Sequence, residues 1–228
     1  EGYYREFGAI IDAFGNHPCI VMWVPFNEGW GQFETAKVTD WVKQRDPSRL
    51  VDQASGWSDR NGGSVHDMHN YPGPGMPPVE ENRAAVLGEF GGLGLPLEGH
   101  LWWDKRNWGY RKYDDADQLR RSYENLIFNL RPLIGKGLAA AVYTQTTDVE
   151  GEVNGIMTYD RAVVKMGADW LGETNNKVYL PPPVLETLLP TSKDEPVVWR
   201  YTFDKPADGW EKPDFDDRKW QEGEGVFG

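Results

Sequence analysis

The sequence predicts an α/β fold in which parallel strands alternate with helices, and three observations support this prediction. Short apolar runs alternate with segments of helical periodicity through the first 145 residues. Each apolar run ends in polar or aromatic residues, which would collect on one face of a closed parallel sheet. No strand is followed by a glycine-rich phosphate-binding pattern, so a (β/α)₈ barrel is favoured over an open nucleotide-binding sheet.

The first element is a helix over 3–14, where apolar residues recur at helical spacing. An apolar run over 19–27 follows and stops at the polar pair Asn27-Glu28. A short continuous run of this kind predicts a strand buried on both faces. Cys19 lies within the run and is expected to be a packed core thiol rather than a nucleophile.

The chain then continues the same alternation, interrupted by one long excursion over 93–113 that is rich in tryptophan and tyrosine. An excursion of this length without regular structure of its own is typical of a functional loop. The last apolar run, over 138–145, contains several small residues, which favour tight packing in the centre of a barrel or sheet. The other expected elements are a helix over 33–45, strands over 49–54, 65–71 and 84–90, a helix over 115–134 and a strand over 138–145.

Composition changes after residue 172. Residues 173–196 contain three consecutive prolines and are expected to form an extended linker. Residues 197–228 begin with an alternating pattern that is typical of an antiparallel strand, and they are expected to be the truncated start of a β-sandwich. The predicted organisation is therefore a barrel portion over 1–172, a linker, and the opening of a second domain.

The net charge of −12 argues against nucleic acid and against an anionic membrane surface as partners. No apolar run is long enough for a transmembrane helix, and the first residues do not have the pattern of a signal peptide. One cysteine allows neither an internal disulfide nor a multi-cysteine metal site. The 11 tryptophans suit a carbohydrate partner, whose sugar faces stack on flat rings, although a large aromatic core would explain them equally well.

Two of the predicted strands end in glutamate: the run before Glu28 and the run before Glu89. In a closed eight-stranded barrel, strands three steps apart face each other across the mouth. Two opposed carboxylates are the arrangement that hydrolyses a glycosidic bond, since one donates a proton and the other attacks or activates water. The structural alternative is that each glutamate pairs with a buried arginine or caps a helix.

Four phrases in the chain are similar to glycoside hydrolase family 2, the family of β-galactosidases, β-glucuronidases and β-mannosidases. Asn16-His17-Pro18, then Trp23 and Asn27-Glu28, resemble its acid/base strand, and Gly88-Glu89-Phe90-Gly91 resembles its nucleophile strand. The phrases Asp46-Pro47-Ser48-Arg49-Leu50-Val51 and Tyr143-Thr144-Gln145 with the segment through Arg161 resemble the connecting and closing parts. Together they span about residues 1–165.

The resemblance implies that Glu28 is the general acid/base and Glu89 the nucleophile of a retaining, exo-acting β-galactosidase-like enzyme. It implies that Asn27 hydrogen-bonds the sugar 2-hydroxyl. It also implies a partial TIM barrel that holds strands four to eight, with strands one to three absent, so we expect the isolated chain to be inactive. A periplasmic or extracellular location is compatible with the family, and an oligomer is possible.

Further sugar-binding residues follow from the same resemblance. His69 and Tyr71 end the predicted strand before Glu89, and the tyrosine could hydrogen-bond that carboxylate and keep it ionised. Tyr143 lies where many relatives have a tryptophan beneath the sugar. Trp30, Trp102, Trp103 and Trp108 could line the sites for the leaving group.

We predict no cofactor and no transition-metal site, because His17, His66 and His100 have no partners at metal-ligand spacing. Asp148, Glu150 and Glu152 form an acidic patch that could bind a cation, although a solvated or loop-bonded role is favoured. Two other functions stay open: an endo-acting polysaccharide hydrolase on the same barrel, and a carbohydrate-binding barrel without catalysis.

Overall fold

The computed structural model describes residues 1–186, 188, 192 and 195–225. The chain divides into two compact units, Glu1–Pro183 and Val184–Gly228. Among the described residues, the helices and the parallel strands lie in the first unit, and the second contains a short antiparallel pair. Within the described part of the chain, every helix is too short or too polar to cross a membrane.

The first unit opens with two helices packed on a pair of very short parallel strands. Trp23 and Phe26 are buried against residues of both helices in one apolar cluster. Met22 pairs with Leu50 and Trp23 with Val51. The elements in order are α1 (Gly2–Phe14), β1 (Met22–Trp23), α2 (Thr35–Arg45) and β2 (Leu50–Val51).

A three-stranded parallel sheet follows, with β4 (Ala84–Gly91) in the centre between β3 (Val65–Asn70) and β7 (Leu138–Thr144). The helix α3 (Ala116–Gly135) contributes buried apolar side chains to the cluster that contains β4. The carboxylate of Asp115 caps α3 by accepting from the backbone N–H of Gln118.

The backbone links the two sets of strands. The N–H of Ser64 donates to the carbonyl of Val51 at 2.6 Å, which joins β2 to the start of β3. The strands therefore succeed one another in chain order, as they do in a (β/α)₈ barrel, and their carboxyl ends lie on one side. The described strands do not close into a complete barrel.

The excursion over 93–113 does have regular structure, in the form of β5 (Leu93–Gly94) and β6 (Arg111–Lys112), which pair in parallel. The first unit ends in α4 (Ala168–Asn176) and a 3₁₀ turn over Lys177–Tyr179. The helix and the turn show that the extended segment begins after residue 179, later than the proline-based expectation of 173.

The prediction of a strand over 19–27 that is buried on both faces is wrong. Regular pairing is limited to β1 and one bridge between Asn27 and Ser55. Trp23 and Phe26 are buried, whereas Val21 and Val24 are 65% and 45% exposed. The helices cover only one side of the segment, so alternate side chains meet solvent. Cys19 is exposed and is not a core thiol.

The expectation of tight packing around the small residues of β7 is also wrong. Residues 139–142 are exposed, and Val142 is 55% exposed. The strand pairs with β4 along one side, and among the described residues no strand pairs with its other side. It is therefore an edge strand, where small residues have no second layer to pack against.

The second unit contains β8 (Val198–Tyr201) and β9 (Gln221–Glu224), which pair in antiparallel register. Arg200 donates to Glu222 across the pair and to Asp217 in the preceding turn. Two strands are too few for a sandwich, so the β-sandwich stays a prediction. Residues 187, 189–191, 193, 194 and 226–228, on which parts of the linker and sandwich predictions fall, lie outside the described residues.

Candidate active site

Two carboxylates that follow parallel strands meet around one imidazole. Glu28 follows β1, and Glu89 lies near the end of β4. Nδ1 of His69, on β3, is 3.2 Å from Oε1 of Glu28 and 3.3 Å from Oε2 of Glu89. One oxygen of each carboxylate lies within 4.8 Å of an oxygen of the other. The structure therefore brings the two glutamates into a single small site.

Glu28 is held in an unusual backbone conformation. Its N–H donates to the carbonyl of Ser55 at 2.6 Å, and its φ is 59°, in the left-handed region. This conformation costs a non-glycine residue roughly 1–3 kcal/mol of backbone strain, and it persists only where the surrounding structure holds it. The indole N–H of Trp30 donates to Oε2 at 3.0 Å. Because an indole N–H can only donate, a proton on Glu28 belongs on Oε1, beside His69.

A bulge in β4 brings Glu89 opposite His69. The pairing register shifts just before His69, and Gly88 is the extra residue. The N–H of Gly88 donates to Oδ1 of Asp67 at 2.6 Å. A Cβ at Gly88 would lie 2.1 Å from Oδ2 of Asp67, so a larger residue would push this carboxylate away. Position 88 therefore favours glycine, because a larger residue would collide with Asp67.

Tyr71 contacts the other side of Glu89. Its hydroxyl donates to Oε2 of Glu89 at 2.6 Å, and its ring stacks on that of Tyr110 with centroids 3.8 Å apart. Burial, together with the hydrogen bond to Glu89, raises the pKa of Tyr71, so the hydroxyl keeps its proton. A permanent donor of this kind favours the ionised form of the carboxylate that accepts from it.

We expect the change Tyr71→Phe to lower kcat/KM by roughly 10- to 150-fold, the equivalent of one hydrogen bond to a charged group. It should also move the acid limb of the pH–rate profile to higher pH, because ionised Glu89 loses a donor. The measurement is a pH profile of kcat/KM for the full-length protein. Tyr179→Phe, at a position that is 85% exposed, is the matched control. An acid limb that does not move would contradict this role.

His69 is fixed on its inner side by a chain of hydrogen bonds. Its side chain is 1% exposed, and Nε2 is 2.8 Å from Oγ of Ser55. The Ser55 hydroxyl donates to Oδ2 of Asp67 at 2.6 Å. Gly56, with a φ of 97°, lies against the imidazole, and a Cβ there would be 2.9 Å from the ring. The imidazole therefore has little freedom to rotate.

A second acid, Asp52, lies behind Asp67. The two residues are 2% and 5% exposed. Burial, and then a side-chain hydrogen bond with Asp67, raise the pKa of Asp52 well above its usual range. Both oxygens of Asp67 already accept hydrogen bonds, so the proton that the two acids share belongs on Asp52.

The change Asp52→Asn should flatten the pH dependence of stability. The folded state holds a proton on Asp52 above the unfolded pKa of about 4, so it binds more protons than the unfolded state. Stability should therefore fall as pH rises from about 4 through the elevated folded-state pKa. Asparagine has no such proton, and the fall should be smaller. Urea unfolding at pH 5, 7 and 9 measures the slopes, with Asp40→Asn on an exposed helical face as control. Equal slopes in wild type and Asp52→Asn would refute the shared proton.

The other residues named from the sequence are more scattered. Asn27 is exposed next to Glu28 and forms a bridge with Ser55. Tyr143 packs its ring against Phe90 and Tyr123, so its ring contacts lie in the core. Four tryptophans are exposed, at 77%, 66%, 48% and 47% for Trp30, Trp102, Trp103 and Trp108. Trp30 alone among these four has a recorded bond to a glutamate of the site, within the described residues.

The acidic patch proposed around Asp148 is not an open cluster. Asp148 is buried, and Nζ of Lys165 lies 2.7 Å from its Oδ1. Glu152 accepts from the side-chain amide of Asn154 at 2.9 Å. Asp148 is thus neutralised by an internal lysine and is not available to a solvent cation.

His66 was expected to have no partners at metal-ligand spacing, but two acids lie beside it in the structure. One atom each of His66, Asp59 and Glu80 lies within 4.8 Å of the others. The guanidinium of Arg83 donates to Asp59 at 2.8 Å and to Glu80 at 2.6 Å, and it lowers the pKa of both acids. Because Arg83 already supplies a positive charge to both acids, the group is an ion-pair network around an arginine.

Several residues of the site did not stand out in the sequence. Ser55 lies in a turn-rich loop and had no pattern of its own. Asp67 is two residues from His69 on the same strand. Side chains at this spacing lie on the same face of a strand, so the sequence could have predicted that the two residues are neighbours. Tyr110 belongs to the aromatic excursion, but nothing local to it predicts a stack on Tyr71.

The geometry gives the two glutamates different chemistry. Glu89 accepts from a phenol that stays protonated, which favours a carboxylate able to act as nucleophile. Glu28 has one oxygen occupied by an indole donor and the other beside an imidazole, which suits the gain and loss of a proton. A pair with these two properties can run general acid/base and nucleophilic steps at one bond.

Comparisons with known proteins agree with this geometry at the level of family and fold. The family model for the TIM barrel domain of glycosyl hydrolases family 2 matches residues 3–70, which include Glu28. A solved β-glucuronidase from Faecalibacterium prausnitzii superposes with a TM-score of 0.51 at 14% identity. The match covers 81% of this chain and 36% of that protein, so this chain spans about a third of its length.

At that identity, the superposition shows a shared fold and no more. No curated protein matches the chain at a significant level. The residues matched by the family model include the phrase around Glu28, which resembles the same family. Over residues 3–70, this chain is similar to the TIM barrel domain of glycosyl hydrolases family 2.

Proposed function

We propose that this chain is the C-terminal part of the catalytic barrel of a retaining, exo-acting β-glycosidase, similar to the β-galactosidases. Glu28 acts as general acid/base and Glu89 as nucleophile. The enzyme hydrolyses the O-glycosidic bond at the non-reducing end of its substrate by double displacement. Residues of the remaining barrel strands would complete the sugar pocket.

The separation of the two carboxylates carries this proposal. Retaining enzymes hold their carboxyl groups about 5–5.5 Å apart, and inverting enzymes about 6.5–9.5 Å, because inversion needs room for a water molecule. An oxygen of Glu28 and an oxygen of Glu89 lie within 4.8 Å of each other. This proximity of one oxygen from each carboxylate supports the shorter separation that retaining enzymes use.

In the first step, Glu89 attacks the anomeric carbon while Glu28 protonates the departing oxygen. The C–O bond to the leaving group breaks, and a covalent glycosyl-enzyme forms on Glu89. In the second step, Glu28 takes a proton from water, and the resulting hydroxide displaces Glu89 from the sugar. Two inversions give net retention, and both glutamates return to their starting states.

The surroundings suggest which residues meet the sugar. Asn27 is exposed next to the acid/base, and we propose that it hydrogen-bonds a hydroxyl group of the sugar. Tyr71 and Tyr143 are proposed sugar contacts as well, whereas the side chain of His69 is 1% exposed and acts through Glu28. The exposed rings of Trp30, Trp102 and Trp103 are available to stack on sugar faces.

The test is a panel of aryl β-glycosides assayed with the full-length protein that contains this chain. The panel should include β-galactosides, β-mannosides and, since the superposed enzyme is a β-glucuronidase, β-glucuronides. Proton NMR of the first product should show the β-anomer before mutarotation. An α-anomer would contradict retention, and no turnover of any member would contradict the enzymatic proposal.

An endo-acting hydrolase is the second candidate, favoured by the exposed aromatic excursion with Trp102, Trp103 and Trp108. An endo enzyme cuts internal bonds and lowers the viscosity of a polysaccharide early in the reaction. An exo enzyme releases monosaccharide with little early change in viscosity. Viscosity and reducing-sugar assays on the same samples separate the two candidates.

A further inference from the structure

A chain of buried polar groups runs from the two glutamates into the interior of the first unit. It passes from His69 to Ser55, Asp67 and Asp52. The side chain of His69 is 1% exposed, and the residues Asp67 and Asp52 are 5% and 2% exposed. Such a chain fixes the positions of its protons, because each hydrogen must have one donor and one acceptor.

The inner end of the chain determines which nitrogen of His69 bears hydrogen. Asp67 accepts the N–H of Gly88 on Oδ1 and the hydroxyl of Ser55 on Oδ2. The single hydroxyl hydrogen of Ser55 is therefore donated to Asp67. Oγ of Ser55, 2.8 Å from Nε2 of His69, can only accept from that nitrogen. Nε2 must carry a hydrogen.

The outer nitrogen, Nδ1, faces two groups that accept when ionised. It is 3.2 Å from Oε1 of Glu28 and 3.3 Å from Oε2 of Glu89. Oε2 of Glu89 already accepts the hydroxyl of Tyr71. A lone pair on Nδ1 would repel both ionised carboxylates, so one further proton must lie either on Nδ1 or on the facing oxygen of Glu28.

The charged groups around His69 all favour this extra proton. Glu28 approaches it from the end of β1, Glu89 from β4, and Asp67 from its own strand. The neighbouring ring of Trp57, with centroids 6.0 Å apart, is uncharged. Among the described residues, no lysine or arginine forms an ion pair with Glu28, Glu89 or Asp67.

We propose that His69 is a positioning residue that holds the proton used by Glu28, with Ser55 and Asp67 fixing the ring in the tautomer that allows this. This proposal rests on the proposed function. When Glu28 must act as acid, the Nδ1–H bond breaks and an O–H bond forms on Oε1 of Glu28. The imidazolium becomes a neutral ring that still carries hydrogen on Nε2. Glu28 then passes the proton to the leaving oxygen.

The second half of the reaction reverses the transfer. Glu28 takes a proton from the attacking water, and that proton can return to Nδ1 of His69. Tyr71 keeps its proton and donates to Glu89 in both halves of the reaction. No proton is gained or lost over the cycle beyond those of water and product.

The direct test is the protonation of His69 itself, which needs no substrate. Long-range ¹H–¹⁵N correlation spectra of full-length protein labelled with ¹⁵N-histidine show which ring nitrogen bears hydrogen. His69→Gln identifies the signal by its disappearance. We expect hydrogen on Nε2 at every pH, and hydrogen on Nδ1 to become more easily lost in Glu28→Gln. An Nε2 without hydrogen in the wild-type protein would overturn the proposal, whatever the activity.

The variant Asp67→Asn provides a second test of the His69 tautomer. The amide keeps its oxygen for Gly88 and turns its NH₂ towards Ser55, so the Ser55 hydroxyl then donates to Nε2. We expect the neutral ring to carry hydrogen on Nδ1 instead, as happens when an amide replaces the carboxylate behind a catalytic histidine. In the pH–rate profile, the alkaline limb should move down by about one pH unit or more. An unchanged tautomer and an unchanged limb would overturn the proposal.

Ser55 allows a conservative rescue. Ser55→Ala removes the hydroxyl and should lower kcat about tenfold to a hundredfold with a smaller change in KM. Ser55→Thr keeps the hydroxyl and should recover most of the loss. If both variants lose activity equally while their folding is intact, the hydroxyl is not the cause. If the spectra fit but no glycoside is turned over, the proposed function fails while the proton arrangement stands.

Discussion

Replacing Glu89 by glutamine is expected to reduce glycoside turnover by on the order of 10⁴-fold or more, because the proposed mechanism needs its carboxylate to attack the anomeric carbon. Binding should survive, since the amide has nearly the same shape and Tyr71 can still donate to its oxygen. The measurement is kcat and KM with an aryl β-glycoside and the full-length protein. The loss should appear in kcat.

Chemical rescue makes this prediction specific to a nucleophile. In Glu89→Ala, a small anion such as azide should occupy the vacated space and attack in place of the carboxylate. The product would be a glycosyl azide of inverted configuration, since only one displacement has occurred. Glu81→Gln, at an exposed position, is the matched control. A Glu89→Gln enzyme of nearly full activity would remove Glu89 from the mechanism.

Replacing Glu28 by glutamine should have an effect that depends on the leaving group. General acid catalysis contributes about 10²- to 10⁴-fold, and this loss is expected for alkyl glycosides, whose leaving oxygen needs a proton. A dinitrophenyl glycoside leaves without protonation, so its first step should lose much less. The glycosyl-enzyme should then accumulate, because the base for the second step is also missing.

The pH profile supplies a second readout for Glu28. Glutamine cannot hold the catalytic proton, so the alkaline limb of the profile should disappear in Glu28→Gln. The matched control is Glu34→Gln, a change at an exposed position at the start of α2. Equal losses for alkyl and dinitrophenyl glycosides would show that Glu28 binds the substrate and does not transfer its proton.

The elements of the first unit were largely predictable from local pattern. Helices expected over 3–14 and 115–134 are observed as Gly2–Phe14 and Ala116–Gly135. Their apolar spacing, and the aspartate that caps α3, are properties of a few neighbouring residues. The strands were less well predicted: the run over 19–27 pairs regularly at two residues only. Strand length depends on partners, and partners are distant in sequence.

Burial was predicted worst where a partner strand was assumed. Cys19 and the small residues of β7 were expected inside, and they are exposed. An apolar run shows that a segment can be buried, but a second layer must be present before it is. In the described residues, β7 is an edge strand and one side of the β1 segment faces solvent.

The sequence alone predicted Glu28 and Glu89 as candidates, because each follows a short apolar run, which is a local pattern. It could also place His69 and Tyr71 near the same edge, since the carboxyl ends of parallel strands lie together. The tertiary structure alone decided that His69 lies between the glutamates and that Ser55, Asp67 and Asp52 stand behind it. Those contacts join four strands through a bulge and two close-packed glycines, and no pattern local to any one strand encodes the distances between them.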